Sequence, residues 1–123
     1  MILNAVMPFS ERAYGNPALR GARDIEYDAF SRVTRMLREA PRDCTANDTI
    51  TAVAKNNELW TLLAADLSHS ENMLTDELKA GLLSLALFSL RHGHRALARQ
   101  ATTDALIDIN MSVMKGLRGE GMK

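Results

Sequence analysis

Residues 104–119 read DALIDINMSVMKGLRG, and their spacing decides the fold class. Leu106, Val113 and Leu117 recur at the interval of one helix face, and no stretch of the chain has the sustained alternation of a strand. Asn110 interrupts the pattern by standing inside that face. Leaving a buried amide unpaired costs on the order of 1–3 kcal/mol. A helix that puts an amide where a leucine belongs therefore has a partner for it, either within the fold or on a docked polypeptide.

Three amphipathic stretches precede this one. From about Arg23 to Ala40, the residues Ile25, Ala29, Val33, Met36, Leu37 and Ala40 form an inner stripe with Phe30 on its shoulder. Arg32, Arg35 and Arg38 make the outer face basic, and Pro41 closes the helix. The polar connection RDCTANDT offers Thr45 and Asn47 as N-caps. A second helix runs to about Ser68, with Ile50, Val53, Ala54, Trp60, Ala64 and Leu67 on one face, widened by Leu59 and Leu63. Asn57 repeats the anomaly there, one turn from Val53 and close to Trp60. Thr75 caps a third helix whose first turn carries Asp76 and Glu77, where the helix dipole favours negative charge. Leu78, Leu82, Leu83, Leu85, Ala86, Leu87, Phe88 and Leu90 cover more than one of its faces, so it is expected to be the central, most enclosed element. Gly93 is expected to kink or break it. The fourth helix starts near Thr102, reaches Leu117 and stops at Gly119.

The fold class is all-α: a compact bundle of four helices, five if Gly93 splits one, in a single domain. Residues 1–21 contain Pro8, Gly15, Pro17 and Gly21, and read as a flexible N-terminal arm with a short turn of helix around Ser10 to Tyr14. The helical domain occupies residues 22–118, and 119–123 are a C-terminal tail. Met7 is an alternative candidate start, since the fold is expected to need nothing before it.

The 123 residues are 46% hydrophobic and only 5% aromatic, so the core is aliphatic and draws on seven methionines. The single cysteine, Cys44, excludes an internal disulfide and any all-cysteine metal site. The N-terminus lacks the basic region of a signal peptide, and the apolar run from Leu82 to Leu90 is about half the roughly 20 residues of a membrane span. A cytoplasmic location with no membrane association follows as an expectation.

The formal charge is zero but segregated. Residues 1–42 carry seven arginines and five acids, 43–78 one base and seven acids, and 79–123 seven bases and three acids. No basic face able to neutralise several phosphates emerges, so nucleic-acid binding is not expected. The segregation either steers a protein partner or holds the segments together within the fold.

Enzyme motifs are absent. His92 and His94 in RHGHR point in different directions on a helix and are flanked by arginines, which opposes a metal site. His69 beside Glu71 lacks a nucleophile or held water, and the flanking Arg42 and Asp43 exert opposing influences on Cys44. No catalytic residue, metal site or cofactor is expected. Asn57 and Asn110 keep two readings: amides satisfied within the bundle, or amides facing a groove where a partner helix docks. Ser84 and Ser89 belong to the same question, although a helical serine can bond its own i−4 carbonyl. Trp60 is the core's largest filler or a groove's rim, and Met111 and Met114 suit either the core or an adaptable surface.

NNELWTLLAADL (56–67), ENMLTDELKAGLLSLALF (71–88) and LIDINMSVMKGLRG (106–119) together resemble the flagellar biosynthesis regulator FlaF family. The likeness lies in Asn57 and Trp60, in Asp66-Leu67, and in Asn72 with Leu74. It continues through Leu78, Ser84 and Leu85, then Ile107, Asn110, Gly116 and Leu117. RAYG (12–15) and the Asp24-Ile25-Glu26 start of the first helix match more loosely, so the resemblance covers about residues 12–118. The segment before Ser10 extends beyond it, and FSLRHGHRALA departs from it. The resemblance implies a non-enzymatic positive factor in flagellin synthesis and secretion. The implied mechanism is chaperone-like binding of flagellin for the flagellar export apparatus; on the groove reading of the residues, Asn57, Trp60, Asn110, Met111 and Met114 are the partner-binding residues. A regulatory adaptor that binds the FlbT-type repressor of flagellin translation is the alternative.

Overall fold

The computed structural model describes residues 16–42, 45–69 and 74–117, with side chains from Tyr27 onward. The expected turn around Ser10 to Tyr14, the side chain of Ile25, Cys44, Glu71 and the stop at Gly119 lie outside the described residues. Among the described residues four helices follow one another: α1 (Asn16–Glu39), α2 (Asn47–Leu67), α3 (Asp76–Leu97) and α4 (Asp104–Leu117). Each packs on the next, and α4 returns to α1, which closes the bundle into a ring. None of the four is long and apolar enough to cross a membrane.

Helix α1 starts earlier than the apolar periodicity suggests, because Pro17 falls in its first turn, where a missing N–H costs nothing. Its buried line is Phe30, Thr34 and Leu37, so Phe30 moves from the shoulder to the centre of the face. Arg32, Arg35 and Arg38 are exposed, as the outer face requires.

The start of α2 differs from expectation. Ala46 occupies the N-cap with no side-chain bond; neither Thr45 nor Asn47 fills that role. Instead the buried Thr49 hydroxyl donates to the Pro41 carbonyl at 2.5 Å, tying the first turn of α2 to the end of α1. The Arg42 guanidinium pairs with Asp104, linking the same connection to the start of α4.

In α3, the Leu78 N–H donates to the Thr75 hydroxyl at 3.2 Å, the cap read from the sequence. Two other expectations for this helix are corrected. It runs unbroken through Gly93, so the described residues form four helices, not five. Nor is it the enclosed centre: its buried residues are Ala86, Ser89, Gly93 and Ala96, while Leu87 and Phe88 are 59% and 47% exposed. Small residues let α3 approach the bundle closely and leave its larger apolar groups on the flanks. The helix stops with Arg99 in the left-handed region at φ 63°. There the Gln100 N–H reaches Arg95 O at 2.8 Å and the Arg99 N–H reaches Ala96 O at 2.9 Å, a Schellman closure.

The core has two apolar clusters. One joins Phe30, Leu59, Trp60, Leu63, Leu67, Ala86, Val113 and Met114. The other joins Leu37, Ala52, Val53, Ala96 and Leu106. On every helix a polar residue separates the two: Thr34 on α1, Asn56 on α2, Ser89 on α3 and Asn110 on α4, all buried.

Candidate functional site

The amide that interrupts the α4 face has its partners inside the bundle. The Trp60 indole N–H donates to Asn110 Oδ1 at 2.9 Å, and Asn110 Nδ2 donates to Asn56 Oδ1 at 2.8 Å. Asn56 Nδ2 then donates to Ser89 Oγ at 3.3 Å. The chain runs in one direction, so each amide uses its oxygen to accept and its nitrogen to donate. All four side chains are fully buried. Each such bond contributes about 1 kcal/mol net, but orphaning any member costs more than that. The layer therefore fixes the register of α2, α3 and α4 against one another. The fourth polar residue at this level, Thr34, has a buried hydroxyl with no hydrogen-bond partner.

Of the residues singled out in the sequence, Trp60 and Asn110 thus lie in the interior. The Trp60 ring meets Phe30 edge-on at a centroid distance of 5.4 Å. Met114 is buried in the same cluster, and Met111 is exposed on α4. A partner approaching this conformation meets Met111 and does not meet Trp60 or Asn110.

Asn56 was not singled out, and Asn57 was. The buried face of α2 is Thr49, Ala52, Val53, Asn56, Leu59, Trp60, Leu63 and Leu67, one position round from a face drawn through Ile50 and Ala54. The signal was present: Asn56 lies three residues from Val53 and from Leu59 and four from Trp60, with Leu59 and Leu63 on the centre line. Small Thr49 and Ala52 concealed it.

Asn57 has a different setting. It is partly exposed and packs on Gly93, where an added Cβ would lie 2.1 Å from Asn57 Oδ1. Gly93 thus serves the close approach of α2 and α3. Asn57 Oδ1 is buried there without a hydrogen-bond partner. Ile50 lies two turns before Asn57 on α2, and Leu97 one turn after Gly93 on α3, so both border the same seam. They are 40% and 37% exposed, respectively.

His92 Nε2 lies 2.8 Å from the Thr102 carbonyl, bracing the turn into α4, and His94 is exposed. Among the described residues no three of His, Cys, Asp and Glu come together as metal ligands would. What the molecule presents is a register-fixed bundle with apolar groups left on its flanks.

A family model described as flagellar protein FlaF matches residues 11–117, which includes all four helices and the whole polar layer. The chain belongs to the FlaF family. No curated protein and no solved structure matches it. FlaF membership identifies a flagellar protein and is consistent with a role in flagellum biogenesis.

Proposed function

We propose that this FlaF-family chain is a cytoplasmic, non-enzymatic factor that binds flagellin directly and holds it for export. Family membership supplies the flagellar context. The observation that carries the binding reading is the α2–α3 seam, where exposed Ile50 and Leu97 flank Asn57 with its unpaired Oδ1. An amphipathic helix laid along this seam covers the two apolar side chains and offers a donor to the amide oxygen, the helix-in-groove mode of recognition. Flagellin's terminal helical segments have that chemistry. Among the residues the groove reading offers for partner contact, Asn57 belongs to this seam. Trp60, Asn110 and Met114 support it from within the bundle, and Met111 stands on another helix.

The test is calorimetry of the purified full chain against flagellin and, separately, against the FlbT-type regulator, with nucleic acid removed. Flagellin binding is expected, weakened about tenfold or more by Leu97→Glu or Ile50→Glu, as loss of an interface anchor implies. Circular dichroism should stay unchanged, because both positions are exposed. Binding to the FlbT-type regulator with none to flagellin overturns the proposal in favour of the adaptor. Flagellin binding that ignores both substitutions moves the site off this seam.

A further inference from the structure

The opposite flank of α3 carries a second stripe, distinct from the α2–α3 seam and exposed at Leu78, Gly81 and Phe88, while Leu85 and His92 within it are half-buried, Leu85 against the core. Leu78, Gly81, Leu85, Phe88 and His92 recur at alternating intervals of three and four, the a/d spacing of a coiled-coil seam. Leu78 is 38% exposed and Phe88 is among the most exposed apolar residues of the bundle, although each is large. The Phe88 ring stacks on His92 at 5.8 Å with a 26° interplanar angle, so it is held as a preformed knob. Two turns earlier, a Cβ added to Gly81 would meet nothing within 4 Å, which leaves open space at that position.

The stripe is complementary to itself when reversed. Setting two copies antiparallel with the axis near residues 84–85 places Phe88 of one over Gly81 of the other and Leu85 against Leu85. Leu78 then meets His92. Ser84, small and exposed, sits at the axis and lets the helices close. The flanking charges reverse sign along the helix: Glu77 at the start, Arg91 and Arg95 near the end, all exposed. In the antiparallel pairing Glu77 of each copy faces Arg91 of the other, twice per dimer. A parallel pairing sets like charges together and Phe88 against Phe88. The geometry points to a second copy of this chain as the occupant of this flank, in a two-fold symmetric antiparallel dimer. The assembly leaves the α2–α3 seam of both protomers open, so it stands whether or not flagellin binds there.

One helix per protomer is a small interface, so the dimer is expected to be transient, with a dissociation constant in the micromolar range. Sedimentation equilibrium of the full chain from about 1 µM to about 1 mM, a range chosen to bracket that class of affinity, reads it directly. Phe88→Glu is expected to weaken dimerisation roughly thirtyfold or more, as removal of a central anchor does, and Leu87→Glu, on the other flank, to leave it unchanged. Glu77→Arg is expected to weaken it and Glu77→Arg/Arg91→Glu to restore it, because the exchange rebuilds both ion pairs only in the antiparallel arrangement. Since these residues are exposed, none of the substitutions alters the core. A chain that stays monomeric throughout the range, or a dimer indifferent to Phe88→Glu, overturns the inference. Equal weakening by the single and double charge variants overturns the antiparallel pairing.

Discussion

Helices α2 and α3 invert what their sequences suggest. By apolar content α3 looks like the heart of the molecule, yet it contributes only Ala86, Ser89, Gly93 and Ala96 to the buried set. By contrast, α2, with two asparagines, a lysine and a glutamate near its middle, buries Leu59, Trp60, Leu63 and Leu67 along with Asn56. The difference separates two uses of apolar residues. Those of α2 fill space inside one chain. Those of α3 stand on its flanks, Leu82, Leu83, Leu85 and Leu90 partly buried against the core and Leu78, Leu87, Phe88 and Leu97 exposed, beside a row of small residues that lets the helix backbone settle against α2. Abundance of leucine does not rank helices by depth.

The largest test of this contrast is to truncate one aromatic on each helix. Trp60→Ala removes the largest fully buried side chain and orphans Asn110 Oδ1. It is expected to cost about 3–5 kcal/mol, enough to unfold most of the population of a marginal small domain. Phe88→Ala, measured where the chain is monomeric, is expected to cost under about 1 kcal/mol, as exposed substitutions usually do. Urea titration followed by far-ultraviolet circular dichroism measures both. Similar losses at the two sites would dissolve the distinction between the helices.

The polar layer gives the next largest effect. Asn56→Ala and Asn110→Ala each break the chain and strand a buried neighbour, at about 2–3 kcal/mol apiece. Since both act on one network, the double variant is expected to cost clearly less than the sum, with a coupling of about 1 kcal/mol or more. Additive losses would mean the two amides act independently and that the layer is not a connected unit. Changing all four of Trp60, Asn56, Ser89 and Asn110 is a different experiment, because it removes the strain of unpaired groups along with the bonds.

The helices, their order and the oddity of Asn110 were legible in the sequence because helix periodicity and polar interruptions are local signals. Thr75 and the exposed arginines of α1 were legible for the same reason. Depth was not. Whether Leu87 faces a neighbour or solvent depends on how closely α3 can approach, and that is set by Gly93 against Asn57, two residues far apart in the chain. The phase of α2 was missed by one residue because Thr49 and Ala52 carry no strong apolar signature, although both are fully buried. The choice between core and groove for Trp60 likewise turned on a tertiary hydrogen bond, to a residue on another helix. Periodicity names the face but not what lies opposite it.

The smallest effects come from the two glycines within α3, and they are expected to carry opposite signs. Glycine in a helix interior costs about 1 kcal/mol relative to alanine, so either substitution starts with that gain. At Gly81 the new methyl meets nothing within 4 Å, and Gly81→Ala is expected to stabilise the monomer by about 0.5–1 kcal/mol. At Gly93 the methyl would overlap Asn57 Oδ1, so either the Asn57 side chain turns out of the seam or α3 retreats from α2. Gly93→Ala is therefore expected to be destabilising by about 1 kcal/mol, because the strain of overpacking exceeds the helix-propensity gain. Removing the obstacle supplies the control. In an Asn57→Ala background, Gly93→Ala is expected to change sign and stabilise, since the methyl then occupies the volume the amide has left. Thermal unfolding of the four variants and their parent decides it. A stabilising Gly93→Ala in the presence of Asn57 would mean that the amide swings aside at no cost, and that glycine at this position is not what brings α2 and α3 together.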